Sequence, residues 1–181
     1  MNKFSDSTPF QHKRYRRWGL VIFVDIILIG LLLPEEPVIP VKNATRRDWN
    51  QQSFWYYPWG KSVVHKGIDI FAPEGREVIA ATGGLVIWQG ELGMGGKAVV
   101  VLGPKWHCHY YAHLRNYQTN WLAFIKRGKP IGSVGTTGNA VGKAPHLHYT
   151  IFTLLPYPWR WDSSIQGWRK MFYLNPDTLL P

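Results

Sequence analysis

The chain reads as mostly β, an antiparallel sheet preceded by one hydrophobic N-terminal helix. Three observations predict this. From residue 54 onward the apolar residues fall in short runs of strand length, at 78–81, 85–88, 98–102, 106–113, 131–134 and 146–152. Glycines separate those runs, among them Gly83-Gly84, Gly95-Gly96, Gly128, Gly135 and Gly142, so no amphipathic helix of a dozen residues fits there. The apolar run of helical length lies at residues 18–33.

A length of 181 residues holds one domain plus some extra sequence and excludes a large multidomain enzyme. Hydrophobic residues at 45%, with 10 Trp, 9 Tyr and 8 Phe, supply a core and exclude general disorder. The single cysteine, Cys108, excludes an intrachain disulfide framework and any four-thiolate metal site.

In chain order, residues 1–17 form a basic cytoplasmic segment, with Lys13, Arg14, Arg16 and Arg17 directly before the apolar run. Glu35 and Glu36 follow that run, a positive-inside arrangement that predicts a transmembrane signal-anchor at 18–33. Its 16 residues span roughly 24 Å as a helix, against a hydrocarbon core of about 30 Å. Asp25 near the middle costs about 3 kcal/mol, and the Leu, Ile, Val and Phe residues from Leu20 to Leu33 offset it at about 0.3 to 0.6 kcal/mol each. A cleaved signal peptide is the competing reading, although no small-x-small site follows Leu33. Residues 34–53, with three prolines and mixed charge, read as an extended linker, and residues 54–181 as the folded domain.

Either membrane reading sends everything after Pro34 out of the cytoplasm, to the periplasmic or wall-facing side of the cytoplasmic membrane. That argues against nucleic acid as the partner of the +10 formal charge. Residues 34–181 still hold 16 basic and 9 acidic residues, a charge of +7, which suits a wall polymer or anionic headgroups.

The chemistry begins at His146-Leu147-His148. On a strand two histidines one residue apart point to the same face, with Cα atoms about 6.6 Å apart. His65-Lys-Gly-Ile-Asp69 adds a nitrogen and a carboxylate, but on a straight strand their Cα atoms would lie about 13 Å apart, so Gly67 must allow a bend. Two histidines and one aspartate leave a fourth tetrahedral position open, as catalytic zinc requires. Tyr111-Ala-His113-Leu places a further histidine near the end of a strand.

These motifs in this order resemble the lysostaphin/LytM family of zinc metallopeptidases, which cut peptidoglycan peptides. The resemblance spans residues 59–180. Its carriers are His65-Lys-Gly-Ile-Asp69-Ile-Phe-Ala-Pro-Glu-Gly75, Val78-Ile-Ala-Ala with Gly84-Leu-Val86, Tyr111-Ala-His113-Leu, Ile131-Gly-Ser-Val-Gly-Thr-Thr-Gly138, His146-Leu-His148 and Asn175-Pro176. It implies an antiparallel LytM-type peptidase domain with a groove and one Zn2+ ion on His65, Asp69 and His148. His113 and His146 would be catalytic, sharing proton transfer and oxyanion stabilisation during attack by metal-activated water. Peptidoglycan is the implied partner, alongside the cytoplasmic membrane through residues 18–33 and room for a regulatory or membrane protein. Two other readings stay open: a non-enzymatic LytM-like domain that binds wall or regulates a hydrolase, and an anchored zinc peptidase acting on a protein.

The sequence departs from the family pattern at Tyr149-Thr150, where an aromatic residue and a glutamate usually follow the last ligand, so that ligand's outer partner is either missing or supplied elsewhere. On a regular strand His107, His109, Tyr111 and His113 would share a face, bringing extra imidazoles toward the groove or leaving them in solvent. Cys108 lacks any Cys/His protease signature and reads as an inert thiol. The aromatics before His65 and after Phe152 read mostly as core and rim, with one or two tryptophans facing substrate.

Overall fold

The computed structural model describes residues 9–181, with side chains from Tyr15 on; residues 1–8 of the expected basic segment lie outside the described residues. The chain divides into two compact units between Leu33 and Pro34. In the first, α1 (Pro9–Leu32) is a helix of 24 residues. The membrane-spanning segment expected at 18–33 requires correction: among the described residues no helix is long and apolar enough to cross a membrane. The charges supply the reason. The apolar run is 16 residues with Asp25 inside it, and lengthening it toward the roughly 20 that a span needs brings in Arg16 and Arg17.

The second unit, Pro34–Pro181, is built on a sheet in which every pairing is antiparallel. Its strands are β1 (Ile68–Phe71), β2 (Glu77–Ile79), β3 (Gly84–Leu92), β4 (Gly96–Leu102), β5 (His107–Tyr117), β6 (Phe124–Ile125), β7 (Pro130–Val134), β8 (His146–Thr153) and β9 (Tyr173–Leu174). The main order is β1-β8-β5-β4-β3-β6; β2 pairs with β7, β7 with the end of β5, and β9 with β8. Beyond Leu33 helical structure is limited, among the described residues, to short 3-10 turns, as the glycine spacing implies. Residues 120–126 contribute β6.

Strand alternation separates the two faces. Ile68 and Ile70 of β1, Leu147, Tyr149 and Ile151 of β8, Val99 and Val101 of β4 and Tyr111 of β5 turn inward and join one buried cluster. Asp69, His146, His148, Thr150, Phe152, Val100 and Tyr110 occupy the alternate positions and line a groove on the opposite face.

Residues 34–53 are not the extended linker that their prolines suggest. Val41 bridges Val78 and is buried with Trp49 in the core, and Arg46 ties the strap to the C-terminus by an ion pair of 2.9 Å to Asp177. At its start Glu35 has only 3% of its side chain exposed. Glu35 accepts from His107 Nδ1 at 2.5 Å and from His109 Nε2 at 2.7 Å. The other ring nitrogens accept from Tyr157 at 3.0 Å and Tyr149 at 2.6 Å. His107 and His109 are therefore buried on the face away from the groove, neither in solvent nor beside His113. Burial alone would raise the Glu35 pKa, but the hydrogen bonds from His107 and His109 outweigh it and hold it at about 2. Burial lowers the pKa of His109, which leaves it a neutral donor to the carboxylate.

Replacing this carboxylate with an amide, Glu35→Gln, sets an NH2 group against an imidazole N–H and is expected to destabilise the fold by about 3 kcal/mol in urea unfolding. The pH dependence has a definite sign. The folded pKa of about 2 lies below the ordinary 4.5, so the unfolded chain takes up the proton first; the stabilisation is full above pH 4.5 and lost as pH falls toward 2. The slope of unfolding free energy against pH in that window should be shallower in the variant, and an equal slope would contradict the assignment.

Candidate metal centre

Asp69 and His148 are direct cross-strand partners on β1 and β8, which puts both side chains on one face at one level. His65 precedes β1 and reaches the same point because the chain bends at Gly67. A Cβ at Gly67 would collide with the Tyr149 carbonyl oxygen and lie 2.5 Å from Thr150 Oγ1, so glycine is required for the backbone to pass this close to β8. His65 Nε2 comes to 3.1 Å from Asp69 Oδ1 and 3.1 Å from His148 Nδ1, and His148 Nδ1 to 2.8 Å from Asp69 Oδ1. The three form a group able to hold a metal ion.

Outer hydrogen bonds set the state of each ring. His65 donates Nδ1–H to the Ser53 carbonyl at 3.1 Å, and His148 donates Nε2–H to Thr150 Oγ1 at 3.0 Å. Those bonds leave His65 Nε2 and His148 Nδ1 as bare lone pairs aimed at a carboxylate oxygen. Burial lowers the pKa of His148, and Asp69 opposes that only in part. Three acceptors this close with no proton between them repel one another unless a cation sits among them. Tetrahedral zinc with bonds of about 2.0 to 2.1 Å separates its ligand atoms by roughly 3.3 Å, so the donor set fits with a slight opening. The outer partner of His148 is the Thr150 hydroxyl.

His113 and His146 stand beside this cluster, with ring centroids 5.0 Å apart. A regular β5 would have turned His113 toward the core with Tyr111. Instead two steps on β4, from Lys97 to Val99, face three on β5, from Leu114 to Tyr111, which is a β-bulge with one extra residue. His113 takes a φ of 62°, left-handed backbone that an imidazole adopts only when its surroundings hold it there. Its amide donates to the Gly95 carbonyl at 2.8 Å, and its Nδ1–H to the Thr137 carbonyl at 2.9 Å. The 131–138 motif therefore orients a groove histidine through a backbone oxygen. His146 donates Nδ1–H to the Ala144 carbonyl at 2.8 Å, so both rings keep Nε2 free. Burial, then the neighbouring His148, push the His113 pKa down to about 4.

The groove has a volume of about 770 Å3. Trp59 stacks on His65 at 4.1 Å and Trp88 lies farther along the wall, while Trp121, Trp159, Trp161 and Trp168 are exposed. Cys108 is fully buried, does not line the groove, and has its thiol pushed up to about 11 by burial. The sequence reading missed Ser53, Thr137 and Ala144, which act through backbone carbonyls that any side chain offers equally.

A groove that carries two histidines and one carboxylate able to hold a metal ion, on an antiparallel sheet, defines a class that known proteins share. The sequence over residues 63–155 matches peptidase family M23, and the chain belongs to that family. A DD-carboxypeptidase/endopeptidase of Neisseria meningitidis is 37% identical over 86 residues, 48% of this chain and 19% of the relative. The L-Ala–D-Glu endopeptidase of Bacillus subtilis is 30% identical over 145 residues, 71% of this chain and 43% of the relative. The catalytic domain of lysostaphin from Staphylococcus simulans superposes with a TM-score of 0.52 at 30% identity, covering 55% of this chain and 76% of that one. The chain thus spans about a fifth of the Neisseria relative and under half of the Bacillus one.

Thr150→Val keeps the shape and removes the acceptor that fixes the His148 tautomer. Zinc affinity, read by competition with a chromogenic chelator, should fall by about tenfold while the unfolding midpoint moves little. Unchanged affinity would show that Thr150 does not orient the ligand.

Proposed function

We propose that this chain is a zinc-dependent endopeptidase that hydrolyses peptide bonds in peptidoglycan stem or cross-link peptides, outside the cytoplasm. The observation that carries this reading is the pairing, in one groove, of three unprotonated metal donors with two histidines whose Nε2 atoms are free. His65, Asp69 and His148 would hold the zinc, which when bound would supply polarisation of the scissile carbonyl and acidify water enough for attack near neutral pH.

His113 fits the role of general base. Its pKa of about 4 keeps it neutral at pH 7, its Nε2 faces the groove, and the Thr137 carbonyl stabilises the imidazolium that forms when Nε2 takes a proton. His146 stands beside it, with ring centroids 5.0 Å apart and its own Nε2 also free, so either ring offers an acceptor to the attacking water. One ring takes the proton from the attacking water at Nε2 and, as an imidazolium, returns it to the leaving amine. The buried Cys108 has no part in this, and no covalent acyl-enzyme is expected.

The names of the relatives support peptidoglycan peptides as substrate, because they point to DD and L-Ala–D-Glu bonds. Full-length protein incubated with purified peptidoglycan should release peptide fragments, identified by mass spectrometry, at one type of bond. A chelator should stop release and zinc restore it. His148→Ala should abolish both zinc binding and cleavage, whereas His113→Ala should bind zinc normally yet lose roughly 10^2- to 10^4-fold in kcat. Intact wall despite folded, zinc-loaded protein would defeat the reading and favour a non-enzymatic wall-binding role.

A further inference from the structure

The groove continues into a smaller pocket of about 260 Å3, and the two share Trp59, Ser62, Asn139 and Lys143. Pro58, Gly60 and Lys61 complete the smaller pocket, so its ionisable side chains are both cations. Neither Lys61 nor Lys143 forms an ion pair with a carboxylate among the described residues. The groove adds Lys66, and the acid lining it is Asp69, already committed to the metal donors. Lys66 Nζ donates to the Ser62 carbonyl at 2.9 Å, which fixes a third cation where the two cavities meet.

Position ties this charge to the chemistry. Trp59 walls both cavities, and its ring stacks on the ligand His65 at 4.1 Å with an interplanar angle of 23°. A group seated against Trp59 in the smaller pocket thus touches the side chain that stacks on His65. The loop opposite is held in place, since the Asn139 amide donates to the Met94 carbonyl at 2.9 Å and Lys143 N to the Ala140 carbonyl at 3.0 Å. Unpaired cations flanking a small cavity, with an amide side chain and an aromatic wall, complement an anion of carboxylate size.

We infer that the side pocket binds a free carboxylate of the substrate close to the scissile bond. The preferred substrates are then stem-type peptides with an ionised carboxyl group, rather than their amidated counterparts. This rests on the peptidase reading above, and the test separates the two. Two synthetic stem peptides differing only in a free or amidated carboxyl beside the scissile bond are offered to the full-length zinc-loaded protein, and their equilibrium binding to the metal-free protein is measured in parallel.

The free acid should be favoured on the order of tenfold in kcat/KM and in Kd, and the ratio should fall toward one in Lys61→Gln/Lys143→Gln, chiefly through KM. Equal Kd for the two peptides, or a ratio unchanged in the double variant, overturns the pocket whether or not hydrolysis occurs. Tighter, lysine-dependent binding of the free acid without hydrolysis of either peptide upholds the pocket and sinks the peptidase reading instead.

Discussion

Everything at this site depends on three lone pairs being forced together. His65 Nε2, Asp69 Oδ1 and His148 Nδ1 converge to about hydrogen-bond distance, yet the protons that would let them bond are committed elsewhere, to the Ser53 carbonyl and the Thr150 hydroxyl. Such an arrangement is unfavourable in isolation and favourable around a divalent cation. The fold supplies the force that holds it. Asp69 and His148 are locked by strand register, and His65 by a bend that closes on β8 so tightly that no side chain fits at Gly67.

The second constraint is parity. A β-strand sends alternate residues to opposite faces, so a chain that needs both a core and a functional groove from the same strand must obey that alternation or break it deliberately. β8 obeys it, with Leu147, Tyr149 and Ile151 in the core and His146, His148 and Thr150 in the groove. β5 breaks it. Tyr111 packs in the core, and the bulge after it turns His113 to the groove at the expense of a left-handed φ.

The same alternation gives β5 a second buried polar cluster, behind the groove. His107 and His109 close around Glu35, and Tyr149, whose neighbour in sequence is the groove residue His148, bonds to His109. A carboxylate buried this deeply is tolerable only because each oxygen receives a hydrogen bond, and each donor ring is in turn satisfied by a tyrosine hydroxyl. That network fastens the start of the 34–53 strap to the sheet and makes the strap part of the domain.

Much of this was legible in the linear sequence. Short apolar runs between glycines determine an antiparallel sheet, because strand length and turn chemistry are local properties. His146-x-His148 determines two imidazoles on one face, and the five motif residues His65, Asp69, His113, His146 and His148 carry the resemblance to a metallopeptidase. The bend at Gly67 follows from distance alone. Other features were decided by tertiary structure. The face of His113 depends on a bulge, whose extra residue is defined only against β4. The partners of the ring nitrogens are backbone carbonyls of Ser53, Thr137 and Ala144, which leave no trace in residue type. Glu35 meets His107 and His109 across more than 70 residues, and the prolines of 34–53 conceal Val41 and Trp49 as core residues. Local pattern determines which residues can share a strand face; which atom then finishes each hydrogen bond is settled only when distant segments pack, because the chain is read in one dimension and its polar groups are satisfied in three.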